Sequence, residues 1–181
     1  EGEAPARGRL ESLLGAALDG GAITDAVVAG SLAQAGSLWP LRESIPLAQA
    51  EEGLNVKHDI SLPVSAIPDF VAGTDALLRR HFPGVRLVNF GHLGDGNLHY
   101  NVQAPEGVDA RRFLSDHEPA INALVFDALM PWGGSFSAEH GIGALKRDEL
   151  AARKSPVALR MMRGIKAALD PLGILNPGRV L

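Results

Sequence analysis

The sequence contains no cysteine, which removes disulfides, thiolate zinc sites, iron–sulfur clusters and cysteine nucleophiles together. Any metal must therefore be held by His, Asp or Glu. It also lacks an excess of charge: 17 Lys and Arg stand against 21 Asp and Glu, a formal net charge of −4. A mildly acidic chain offers no electrostatic footprint for nucleic acid or anionic lipid. No apolar run approaches the roughly 20 residues that span a bilayer, and the opening Glu1-Gly2-Glu3-Ala4-Pro5-Ala6-Arg7 lacks the apolar core of a secretory signal. There is no initiator Met, so the chain is expected to begin inside something longer or processed. Internal repeats and low-complexity tracts are missing too. What remains is 181 residues with 46% apolar content, enough for one domain with a proper core.

The 21 Gly and 12 Pro are spread as punctuation between short elements. The spacing predicts a helix over 7–19, a short strand over 23–28, and a helix from Ser31 interrupted near Pro40 and Pro46. Residues 56–62 alternate with a period of two and predict a strand, followed by an amphipathic helix from Ile67 to Phe82. Two strands, 85–93 and 97–103, are expected across Gly94-Asp95-Gly96. A helix over 108–130, broken near Pro119, leads into a Gly-rich loop over 133–143, beyond which a helix is expected near Ala144. The final helix is expected at about Pro156–Leu169, before a turn-rich tail. Antiparallel strands separated by helices argue for an α+β fold with one sheet of three or four strands and helices on one face.

The densest chemistry lies in Gly91-His92-Leu93-Gly94-Asp95-Gly96-Asn97-Leu98-His99-Tyr100-Asn101. Asp-Gly between two strands signals a two-residue hairpin loop. That register opposes His92 to His99 and Phe90 to Asn101, so the two imidazoles would share one face within reach of a divalent ion. Asn101 would point the same way. A second concentration, Ser137-Ala138-Glu139-His140-Gly141-Ile142-Gly143, places a carboxylate and an imidazole in a Gly-flanked loop. Together His92, His99 and Glu139 make a set suited to zinc or manganese, or to iron by analogy with the facial triad. His140 would remain as an acid–base group. Arg42 and Lys57 are candidates for a carboxylate clamp, whereas His58, His81, His117 and Lys146 are expected on the surface. From these residues alone two other readings stay open: a self-contained metal enzyme, either a hydrolase or a non-haem iron oxygenase, and a non-catalytic binding module with incidental histidines.

Five segments in order, Leu38-Trp39-Pro40-Leu41-Arg42-Glu43, Asp59-Ile60-Ser61-Leu62-Pro63, the two described above and Asp170-Pro171-Leu172-Gly173-Ile174-Leu175-Asn176-Pro177-Gly178, carry a resemblance. From about Ala22 to Leu181 the chain resembles the C-terminal half of FAD-linked oxidases of the D-2-hydroxyacid dehydrogenase, D-lactate dehydrogenase and glycolate oxidase type. The resemblance implies a ferredoxin-like substrate (cap) domain, about 22–131, and a C-terminal helical segment, 132–181, that docks on an FAD-binding domain. That domain would lie N-terminal to these residues; no Gly-rich phosphate-binding stretch occurs in the first 90, and the first cap strand is expected to be missing. By the same resemblance His92, His99 and Glu139 hold the metal, Arg42, Lys57 and Asn101 hold the carboxylate of a small 2-hydroxy acid, and His140 takes the hydroxyl proton while hydride passes to FAD. The fragment alone is then expected to be inactive, cytoplasmic in a bacterium, and able to form a homodimer through the face its flavin domain would cover. Hydroxyglutarate-type members tend to carry a hydroxyl residue four positions after the Arg, where this chain has Pro46.

Overall fold

The computed structural model describes residues 3–181, and the chain divides into two compact units, Glu1–Glu52 and Gly53–Leu181. The described part of the first unit is helical: α1 (Glu3–Asp19), α2 (Leu32–Glu43) and α3 (Ile45–Glu52). Ser31 caps α2 by accepting from the Gln34 N–H at 3.2 Å, satisfying one of the helix's orphan donors. Pro40 does not interrupt α2. The carbonyl of Gly36 loses its partner there, but α2 buries no residue, so water takes that role. The break comes at Ser44, and Pro46 sits at the second position of α3, where a missing N–H costs nothing. The strand expected over 23–28 does not form. Among the described residues this unit contains no strand for it to pair with, and an unpaired strand leaves its backbone groups unmatched.

The second unit holds β1 (Asn55–Ser61), α4 (Ile67–His81), β2 (Arg86–His92), β3 (Asn97–Gln103), α5 (Ala110–Leu129), α6 (Arg147–Arg153) and α7 (Pro156–Leu169). The sheet order is β1-β3-β2, with both outer strands antiparallel to β3. This is the β-α-β-β-α order of a ferredoxin-like sheet over its first three strands. Alternation sorts the side chains. Val56, His58 and Ile60 of β1 and Leu98, Tyr100 and Val102 of β3 are buried together with Phe70 and Leu78 of α4 and Ile121, Val125, Phe126 and Leu129 of α5. Asp59 and Lys57 share the other face with His99 and Asn101, their cross-strand partners. Pro119 lies inside α5 without breaking it; both Pro119 and Ser115, whose carbonyl it leaves unpaired, are exposed. The helix expected near Ala144 starts later, at Arg147.

The turn between β2 and β3 corrects the expected register. It is a four-residue connection, with Leu93–Asp95 in a 3-10 turn closed by Gly96 at φ 67°, rather than a two-residue Asp-Gly loop. His99 therefore pairs with Phe90, and His92 with Asn97. The longer turn docks on the end of β1. Leu62 N–H donates to the Gly96 carbonyl at 3.0 Å, and a Cβ at Gly96 would lie 2.2 Å from the Leu62 oxygen. Both the left-handed backbone and the close approach require glycine there.

Candidate metal and acid–base site

A slip of two residues keeps every side chain on its expected face, because strand parity has a period of two. His92 and His99 thus remain neighbours on the outer face, diagonal rather than opposed, with ring centroids 5.8 Å apart. Phe90 packs beside His99 at 4.9 Å. His99 is mostly covered, its side chain 16% exposed, whereas His92 is half open at 49%.

The carboxylate comes from a loop well further along the chain. After α5 the chain turns back along β1, and Ser61 and Ser135 exchange backbone hydrogen bonds of 2.9 and 2.7 Å. Gly134 permits this approach, since a Cβ there would lie 2.7 Å from the Ser61 oxygen. Asp59, one strand pair along, then fixes the loop. Its Oδ2 accepts the N–H groups of Ala138 at 3.2 Å, Glu139 at 2.8 Å and His140 at 2.8 Å, while Asn97 Nδ2 donates to Oδ1 at 3.0 Å. Burial alone would raise the Asp59 pKa, but the hydrogen bonds from His140, Glu139 and Asn97 and the nearby His140 ring hold it below the ordinary value. The group is ionised at neutral pH and acts as the anchor of the loop.

So held, Glu139 reaches both histidines: Oε1 lies 3.7 Å from His92 Nε2 and Oε2 lies 3.6 Å from His99 Nε2. These separations are too long for hydrogen bonds. They lie a few tenths of an ångström beyond the roughly 3.0–3.4 Å between adjacent donors around an ion with bonds of about 2.1 Å. Burial lowers the His99 pKa, with the charges of Glu139 and Asp59 opposing the shift, so its ring is neutral and has a lone pair to give. The donor set of two imidazoles and a carboxylate fits zinc or manganese. Asp59, Glu139 and His140 also bring ligand atoms together, but Asp59 Oδ2 already serves three N–H donors, so this second group is a scaffold rather than a cage.

His140 stacks at 6.3 Å from His99, and its Nδ1 faces Asp59 Oδ2 at 3.8 Å. Asn101 lies on the same sheet face and is buried; Lys57, its cross-strand partner, is exposed. Arg42 is on α2, in the first unit. Of the four residues expected on the surface, His81 is exposed and His117 half-buried, but two corrections arise. His58 is buried to 1% exposure on the helix-packed face, because an even position of β1 must point inward, and Lys146 is half-buried with Nζ donating to the Phe136 carbonyl at 2.9 Å. Asp59 and Asn97 are the site residues that sequence reasoning missed. The available signal was a carboxylate inside an alternating strand, where Asp is disfavoured unless donors meet it.

The family model described as FAD linked oxidases, C-terminal domain, matches residues 2–180. The chain is similar to proteins named D-2-hydroxyglutarate dehydrogenase: 42% identical over 163 residues to that of Xanthomonas citri pv. viticola, 90% of this chain and 34% of the relative. It is 39% identical over 160 residues to that of Stutzerimonas stutzeri, 88% and 34%. The mitochondrial protein of that name from Danio rerio is 40% identical over 175 residues, 96% and 31%. The chain thus spans about a third of the length of these relatives. Among the described residues no helix is long and apolar enough to cross a membrane.

Proposed function

We propose that this chain, which belongs to the family of FAD-linked oxidase C-terminal domains, is the substrate- and metal-binding portion of a flavin-dependent dehydrogenase that oxidises a D-2-hydroxy acid to the 2-oxo acid. The observation that carries the reading is the convergence of His92, His99 and Glu139 with His140 alongside, on a loop that Asp59 anchors. Held by those three residues, a zinc or manganese ion would supply Lewis acidity that makes the substrate hydroxyl more acidic, and FAD would accept the hydride from C2. His140 takes the hydroxyl proton at Nε2, because Nδ1 faces the Asp59 carboxylate. Asp59 then stabilises the imidazolium with its fixed negative charge. Lys57 and Asn101 bind the substrate carboxylate; Arg42, on α2 of the first unit, is a separate candidate for that role. Within the proposal, residues 22–131 are the cap and 132–181 the segment that meets the flavin domain, in a cytoplasmic enzyme. The acid named in the relatives, D-2-hydroxyglutarate, is one candidate substrate and D-lactate a simpler one.

Calorimetric titration of the metal-free chain with zinc or manganese tests the site. One ion per chain is expected, with affinity reduced at least about a hundredfold by His92→Ala plus His99→Ala; absent binding, or binding indifferent to both substitutions, would overturn the reading. The 181-residue chain alone is expected to oxidise neither acid with an artificial acceptor, and turnover without an added flavoprotein would contradict the division of labour.

A further inference from the structure

We propose that Val180 is a positioning residue for the site loop: its backbone, held in a left-handed conformation, clasps the limb from Gly141 to Lys146 that follows Glu139 and His140. This goes beyond the metal and acid–base chemistry proposed above, and rests on that reading only where zinc serves as a probe. Val180 has φ 66°, a conformation that a β-branched residue adopts only under constraint. A second observation agrees with the first. The Leu181 N–H donates to the Arg179 carbonyl at 2.7 Å, and a bond of that span around a positive φ closes the rarer, strained form of γ-turn. Strain of this kind persists only where the surroundings hold it in place. Here two sets of contacts do so. The Val180 N–H donates to the Gly143 carbonyl at 2.8 Å, and the Val180 and Leu181 side chains are half-buried against the core. Because φ turns the chain about the N–Cα bond, its value decides where the side chain and Leu181 lie once the N–H is committed to Gly143.

The limb that Val180 holds is soft at two points. Gly141 has φ 73° and Gly143 φ 56°, and a Cβ at either would meet nothing within 4 Å, so no close packing fixes the backbone there and glycine itself leaves both hands open. Ile142, between them, packs partly against the core. The start of the loop is pinned by Asp59, which accepts the N–H groups of residues 138–140, and by Ser137 Oγ, which donates to the Gly141 carbonyl at 2.8 Å. Its end is pinned by Lys146 Nζ on the Phe136 carbonyl at 2.9 Å. The Val180 bond falls between these points, three residues past His140, and joins the limb to a segment outside the loop. That segment is itself anchored. Asp170 is buried and accepts the Ile174 and Leu175 N–H groups at 3.0 Å each, and the Arg179 N–H closes a turn on the Asn176 carbonyl at 3.2 Å. Fixed contacts thus run from the end of α7 through Val180 to the loop that carries Glu139 and His140.

The test compares Val180→Gly with Val180→Pro in the full 181-residue chain. Glycine adopts the left-handed conformation freely and keeps the N–H, whereas proline fixes φ near about −65° and has no N–H to donate. Both remove the valine side chain, so a difference between them reports the backbone. In the metal-free chain, amide order parameters of Gly141 and Gly143 are expected to hold at the parental values in Val180→Gly and to fall toward about 0.6 in Val180→Pro. Zinc affinity is expected within about twofold of the parent for the glycine variant and about fivefold weaker for the proline variant, the worth of one neutral hydrogen bond. Variants that behave alike, whether both match the parent or both lose order, would overturn the clasp. Loop order that falls in Val180→Pro with zinc affinity unchanged would overturn the positioning role. A parent chain that binds no zinc rejects the metal reading alone, and the order parameters then decide the clasp by themselves. Val180 lies outside every described helix and strand; ending the chain after Arg179, expected to match Val180→Pro, replaces that variant if it does not fold.

Discussion

His58 on β1 and His99 on β3 occupy adjacent strands of one sheet and face opposite ways. His58 is sealed against α5, its Nδ1 donating to the Tyr100 carbonyl at 2.7 Å and its ring edge-on to Phe126 at 5.5 Å. Burial pushes its pKa down from 6.5 to about 4, and no carboxylate opposes the shift. His99 is desolvated as well, but Glu139 and Asp59 stand against it. The same residue type is a neutral piece of core on one face and a candidate ligand on the other. What separates them is that the His58 ring is sealed almost completely with no carboxylate beside it, whereas the His99 ring keeps some exposure and has charges gathered around it.

The largest expected effect tests whether the outer face is merely a platform. Asp59→Ala would strand the Glu139 and His140 N–H groups and remove one of two acceptors from each of Ala138 N–H and Asn97 Nδ2, costing about 3–4 kcal/mol in urea unfolding. It should also weaken zinc at least about tenfold, because Glu139 loses its anchor. A loss below about 1 kcal/mol with unchanged zinc affinity would demote Asp59 to an ordinary surface acid. Next comes acid stability, which isolates the inner histidine. The unfolded chain takes up a proton at His58 near pH 6.5 and the folded chain only near pH 4, so its contribution is complete above 6.5 and lost as pH falls toward 4. That loss amounts to about 3 kcal/mol; His58→Gln should flatten this part of the stability–pH curve, and an unaltered slope would refute the assignment. Smallest is Lys57→Ala on the exposed outer edge, expected within about 0.5 kcal/mol of the parent by thermal unfolding. A larger change would mean that the outer face stabilises the fold as the inner one does.

Much of this contrast is legible in the sequence. The alternation of Leu98, Tyr100 and Val102 against Asn97, His99 and Asn101 fixes which face each residue takes, and that assignment survives a register error of two because parity does. The final helix, Pro156–Leu169, follows from its proline start and apolar spacing. Prolines mislead at positions 40 and 119, where an exposed helix face lets water replace the missing partner. The 23–28 stretch misleads for the opposite reason, since local propensity makes a strand only where another strand accepts it. His58 was legible in principle from its even position on β1, but a histidine's polarity argues for the surface until the packing is known.

The residues along the chain determined the composition of the site: two imidazoles beside a glycine turn, and a carboxylate–imidazole pair in a glycine-flanked loop. Only the tertiary structure decided that Asp59 joins them. Strand parity and turn chemistry act over a few residues, whereas a buried carboxylate takes whatever donors the fold delivers, here from a loop about eighty positions away. Four residues rather than two make the turn for a similar reason, because Gly96 finds its hydrogen-bond partner at Leu62, beyond the reach of any local rule.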